Sequence, residues 1–130
     1  ERFLIIVSNI DVGKRIPARA FIEVAKNPEW MRLDSPDRPK LTVSNIELTF
    51  APTPRVKALL SNESFFSVEG VTVSAIVFDK DKNALGVSST FIDGLKAGEA
   101  KQLFFTWAEN FEREASFVEI IPRTNLLRNI

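Results

Sequence analysis

The chain contains no cysteine, no histidine and no tyrosine. Without cysteine there is no disulfide framework and no thiolate metal site. Without histidine the commonest general base and the commonest metal ligand are both missing. No apolar run approaches the roughly 18 residues of a membrane-spanning helix, and no signal peptide is visible. Charge of one sign is also lacking: 17 basic and 17 acidic residues cancel, and they are scattered rather than gathered in blocks. That balance leaves no electrostatic footprint for nucleic acid or for an anionic membrane. No cofactor and no metal are therefore expected, and any membrane attachment would come through an anchor outside this chain. The first residue is Glu, so a processed product or a piece of a longer protein is expected.

What remains is 130 residues, 45% hydrophobic and 26% charged. That is enough for one ordinary domain with a core of its own. The stretch Val71–Thr106 organises it. Val71, Val73, Ala75 and Val77 alternate with smaller or polar residues, as in a strand with one buried face. Ile76 and Phe78 make the opposite face apolar too, so the end of this strand is expected to be covered on both sides. Asp79–Asn83 is a polar turn. Leu85, Val87 and Phe91 are read as the inward face of a hairpin partner. After the bend at Leu95–Glu99, Leu103, Phe105 and Trp107 point inward, and Val118 and Ile120 do so on the last strand.

Earlier in the chain, Phe3–Ile10 is a short apolar run with the length and β-branched content of a strand. Ile16–Val24 reads as a second strand, with Pro17 confining its start to an edge. Pro28, Pro36 and Pro39 make residues 28–40 a stiff connector, although Trp30 and Met31 inside it look like plugs between neighbouring domains. Leu41 and Val43 share one parity, while Ile46, Leu48 and Phe50 share the other. A bulge at Ser44-Asn45 reconciles them, as where an edge strand crosses between sheets. Val56, Ala58 and Leu60 alternate inward. About seven short strands, with no amphipathic helix, predict an all-β sandwich of immunoglobulin or fibronectin III-like kind.

Phe21-Ile-Glu-Val recurs as Phe117-Val-Glu-Ile. Each copy follows an apolar strand by a comparable interval. The repeat suggests that residues 1–27 are the final strand pair of a preceding similar domain, joined through 28–40 to a sandwich over 41–126 with a tail at 127–130. A lone hairpin is at best marginally stable in water. Residues 3–24 are therefore expected to pack on an absent half-domain, on another chain or on the 41–130 domain.

Val77-Phe78-Asp79, the turn through Asn83, and Leu95-x-Ala97-Gly98-Glu99 resemble an FxLYD-type immunoglobulin-like domain of bacterial envelope proteins. Phe104-Phe-Thr-Trp107, Phe111 and Val118–Asn125 are similar to uncharacterised tandem-domain surface proteins of small-genome bacteria. The resemblance covers roughly residues 41–126. It implies an extracytoplasmic domain at a bacterial cell surface, membrane-anchored upstream, and it brings no catalytic residue. Two loop positions depart from the pattern. Lys82 stands where Gly is usual, with Asn83 expected to take the left-handed conformation instead, and Ala97 stands for the usual Pro.

Other motifs are weaker. Asp79-x-Asp81-x-Asn83 has the spacing that opens a calcium loop, but Ala84 and Thr90 break the continuation, and a hairpin turn accounts for the same residues. Asn62-Glu63-Ser64 is formally a glycosylation sequon, but Asn and Ser favour turns, and a turn is the reading preferred. Ser88-Ser89-Thr90 lies in a strand with no histidine to activate a nucleophile. A hydrolase would need a Ser–Lys or carboxylate pair whose spacing is not legible. Phe65, Phe66, Phe104 and Phe111 are candidates for an exposed aromatic patch, or for core and domain contacts. With Phe3, Ile5, Trp30 and Met31 they form the candidate interface set. The function expected is a non-enzymatic extracytoplasmic structural or assembly module, partnered by a neighbouring domain or another protein chain. The alternative is an adhesin-like module binding a peptide or glycan through loop aromatics.

Overall fold

In the computed structural model the described residues are Ile5, Val7, 10–24, Asn27 and 38–125. The chain divides into two compact units, Glu1–Leu33 and Asp34–Ile130. In the first, no described residue belongs to a strand. Its backbone turns at Gly13, whose N–H donates to Asp11 Oδ1 at 2.8 Å and whose φ is +61°. Ile16, Phe21, Ile22 and Val24 are exposed. The strand expected over 16–24 does not form among the described residues: alternation alone makes no strand unless a ladder partner and a facing layer receive the side chains. Ile5, Val7 and Ile10 are likewise exposed. Phe3, Trp30, Met31 and the connector 28–37 lie outside the described residues.

The second unit is all-β. Its strands are β1 Leu41–Thr49, β2 Arg55–Asn62, β3 Val68–Phe78, β4 Ala84–Leu95, β5 Ala100–Thr106 and β6 Phe117–Thr124. They form two three-stranded antiparallel sheets, β1-β2-β5 and β4-β3-β6. Alternation explains the central strands. Val56, Ala58 and Leu60 of β2 and Val71, Val73, Ala75 and Val77 of β3 are fully buried between the sheets. Leu103 and Phe105 of β5 meet them, with Ile92 and Leu95 of β4. Val118 and Ile120 of β6 pack on the same core, as their parity predicts. Each fully buried Val or Leu is worth roughly 1.5–3 kcal/mol of apolar burial, so these residues hold the sheets together.

The phase slip in β1 is real. Its register with β2 shifts between Ser44 and Glu47, and Asn45 has φ +51°. β1 nevertheless remains in one sheet, as an edge, rather than crossing to the other. Ile46 and Phe50 stay exposed, and Leu48 packs against the core.

Asn62 ends β2 with its side chain pointing inward at 1% exposure. Its Nδ2 donates to the carbonyls of Phe66 (2.8 Å), Leu95 (3.0 Å) and Lys96 (3.1 Å), and its Oδ1 accepts the Ser64 N–H at 3.0 Å. Its backbone accepts from Gly98 N and donates to Glu99 O, each at 2.9 Å. One residue thus ties the end of a strand in one sheet to the end of β4 in the other and to the bend after it. The sequon reading of Asn62 is incompatible with this burial.

Candidate functional site

The two sheets present different outer faces. On β1-β2-β5, Glu47 lies opposite Lys57 and Thr49 opposite Arg55, and the Lys57 and Glu47 side chains pair at 3.7 Å. Phe104 faces away from the core, opposite Lys57, as its parity predicts. That face is largely polar.

The outer face of β4-β3-β6 is not. Register places Phe91 and Arg123 on either side of Thr72, Ser89 and Ile121 beside Ser74, and Val87 and Glu119 beside Ile76. Phe78 pairs with Phe117, their rings stacked with centroids 4.9 Å apart. Phe91, Val87 and Phe117 remain 60%, 45% and 42% exposed, and Ile76, Phe78 and Ile121 are half-buried. Six apolar side chains therefore crowd one face of a three-stranded sheet. Contiguous apolar surface of this kind commonly marks an interaction site.

This corrects the inward assignment of Val87 and Phe91. Both share a face with Thr72 and Ile76, so Gly86, Ser88, Thr90 and Ile92 turn inward instead. Gly86 has to be small. A Cβ there would meet Trp107 Nε1 and Phe111 Cε1, each at 2.7 Å. Leu85 packs against the core as expected. Cover at the end of β3 comes from the Phe117 ring on Phe78, while the Ile76 face carries no second layer among the described residues.

The anticipated aromatic patch does not assemble. Phe65 is fully exposed in the β2–β3 loop, but Phe66 next to it packs against the core. Phe111 also packs on the core and meets Trp107 edge-on at 5.4 Å between ring centroids. Phe104 lies on the other sheet. Ile5 is exposed in the first unit. Of the residues forming the apolar face, the sequence pointed to Ile76 and Phe78 only. Phe117 was hidden by its place in the repeat, and the β4 residues by an ambiguity of parity that pairing with β3 resolves.

The Asp79–Asn83 turn is built around one carboxylate. Asp79 is 4% exposed. Its Oδ1 accepts the N–H groups of Asp81 (2.9 Å) and Asn83 (2.8 Å), and its Oδ2 accepts Asn83 Nδ2 (2.9 Å) and Arg113 (3.1 Å). The side-chain hydrogen bond from Asn83, then its backbone N–H, hold Asp79 below the usual carboxylate range. The carboxylate's acceptor sites are thus engaged by its own loop and by Arg113, as a structural turn requires. No group of three metal-ligating side chains occurs among the described residues. Lys82, not Asn83, takes the left-handed conformation, with φ +64°. Asn83 is held by its two bonds to Asp79, which leaves the turn to Lys82. Shallow clefts of about 460 Å³ beside Trp107 and about 360 Å³ beside Asp79 lie on either side of Arg113. At Ser88–Thr90, Ser89 Oγ hydrogen-bonds Ser74 Oγ at 2.9 Å, hydroxyl to hydroxyl.

No family model matches the chain. No curated protein matches it. Among solved structures it is similar to a DUF1425 family member from Shewanella sp. pv-4, with a TM-score of 0.50 and 16% sequence identity over 65% of this chain and 78% of that one. At that identity the likeness speaks to the β-rich fold alone.

Proposed function

We propose that the chain is a non-enzymatic structural or assembly module of a bacterial cell-surface protein, working outside the cytoplasm. The observation that carries this reading is the contrast between the two outer faces. A sheet that needed only to dissolve would present polar residues outward on both. The β4-β3-β6 sheet instead offers Phe91, Val87 and Phe117 to a partner. The residues resembling an FxLYD-type immunoglobulin-like domain support the surface setting. On this reading residues 1–27 are the end of a preceding similar domain.

Sedimentation of the whole chain tests the assembly role. Mass is expected to rise with concentration. Val87→Lys, Phe91→Lys and Phe117→Lys together are expected to restore the monomer with the far-UV dichroism unchanged. A monomer at every concentration, indifferent to the three lysines, would refute it. Protease treatment of intact cells carrying the full gene tests the location, and complete protection would count against it.

The alternative, an adhesin-like module for a peptide or glycan, is favoured by the full exposure of Phe65 in its loop. Phe65→Ala should abolish ligand capture on that reading and leave assembly untouched.

A further inference from the structure

The sandwich has four edge strands, and three of them are guarded. β1 is broken by the bulge at Ser44–Glu47 with Asn45 in the left-handed region. β6 carries Pro122 in its middle, opposite Val73, and a proline cannot donate to an added strand. β5 is short, with Lys101 near its start. Bulges, prolines, lysines and short length are the usual devices that stop a sheet edge from recruiting another chain.

β4 has neither proline nor lysine, and its one irregularity, the register shift opposite Val77 and Phe78, lies at its first residues, before the stretch 86–92. It is the longest strand, twelve residues, without proline and with Asp93 as its single charge. Among the described residues it pairs with β3 alone. Its ends are sheltered: Trp107 and Phe111 crowd Gly86, and Lys101 Nζ donates to Gly94 O at 2.8 Å. Between them an open ladder edge runs beside the apolar face.

We propose that this edge pairs with β4 of a second copy, antiparallel about a two-fold axis at Ser89, giving one six-stranded sheet. The inference rests on the assembly reading above and names its partner. The sequence of β4 is self-complementary in that register. Val87 of one copy stands opposite Phe91 of the other on the outer face, and Ser88 opposite Thr90 on the inner face. Such aromatic–β-branched and hydroxyl pairs are favourable across strands. Gly86 falls opposite Ile92, so the paired segment stops short of the Lys101-bound carbonyl. The two Asp93 side chains lie at opposite ends, eight positions from alignment, so no like charges meet. The two apolar faces become one. A single edge pairing is small beside the roughly 1,000 Å² of a durable interface, so the dimer is weak and favoured where chains are crowded.

The absence of cysteine supplies the test. Directly opposed residues of an antiparallel pair have Cα atoms about 4.5–5.5 Å apart, within disulfide reach. Whole-chain Ser89→Cys is expected to oxidise to a covalent dimer at least tenfold faster than Gln102→Cys, an exposed position on the other sheet. Val87→Cys mixed with Phe91→Cys should give the heterodimer in preference to either homodimer. Equal rates for Ser89→Cys and Gln102→Cys, or no preference in the mixture, would overturn the pairing. So would Ser89→Cys joining Ala20→Cys in place of itself, which would make the first unit the occupant. If the chain still associates and the three lysines still abolish association, the assembly reading survives while this one falls.

Discussion

Replacing Asn62 by Ala should unfasten the two sheets at one end. The amide has two N–H groups shared among three carbonyls, and its oxygen accepts one N–H. Of these partners, the bonds to Leu95 O and from Ser64 N are fully buried, whereas Phe66 O and Lys96 O sit where water can replace the lost donor. A buried polar group left without a partner costs about 1–3 kcal/mol. Two such groups put the loss near 4 kcal/mol, between about 2 and 6. For a domain of this size the central value corresponds to a fall in Tm of about 15–30 °C, and it is a large fraction of a typical total stability of about 5–15 kcal/mol. Chemical denaturation followed by far-UV dichroism measures it, with the midpoint shifting and the slope unchanged. Asn62→Asp provides the second arm. It keeps the shape but turns a lone pair toward carbonyls that expect a donor, so it should be at least as damaging at neutral pH. If Asn62→Ala stayed within about 0.5 kcal/mol of the parent, the scale of an ordinary surface substitution, the amide would not be a fastener and the reasoning would fail.

Gly86→Ala should cost about 1–3 kcal/mol by overpacking, because its Cβ would lie 2.7 Å from the Trp107 and Phe111 rings. A denaturation midpoint equal to the parent's would show that the rings can step aside. Lys82→Gly should stabilise the turn by about 0.5–1 kcal/mol, since a left-handed φ costs a side chain that glycine lacks; calorimetry reads the gain. In acid, Asp79 and Glu63 act together. Asp79 is held low by Asn83, and Glu63 is held low by its hydrogen bond with Lys40 and then by Thr42. Groups with a lowered folded pKa stabilise the protein above the unfolded value and lose that contribution as pH falls through the folded one. Stability should therefore decline from about pH 4 downward. Asp79→Asn should flatten that decline in a pH series of denaturation midpoints, and an unchanged slope would exclude Asp79 as a source.

The strands of the second unit could be read from local pattern because a pleated chain alternates strictly. Val56, Ala58 and Leu60, and Val71 to Val77, announce a buried face in one dimension, and the parity break at Ser44-Asn45 announces a bulge. Ile16–Val24 shows the limit of the same rule. Its alternation is as good as that of β2, yet its side chains stand exposed and no ladder forms among the described residues, since a strand requires a neighbour as well as a pattern. Turn chemistry was half legible. Asp79 and Asn83 were visible as turn formers, but which residue would enter the left-handed region depended on Asn83 being held by two bonds to Asp79.

The apolar outer face was legible only in fragments. Composition already excluded disulfides and histidine chemistry, because those require residues the sequence does not contain. Alternation already determined that a sandwich core would form. Whether Val87 and Phe91 join that core or leave it depended on which residues of β3 they pair with, and a shift of one position reverses every side chain of a strand. Register is a relation between distant segments. It took the paired sheets to put Phe91, Val87, Ile76 and Phe117 on one side, and to leave β4 without a neighbour along its other edge among the described residues.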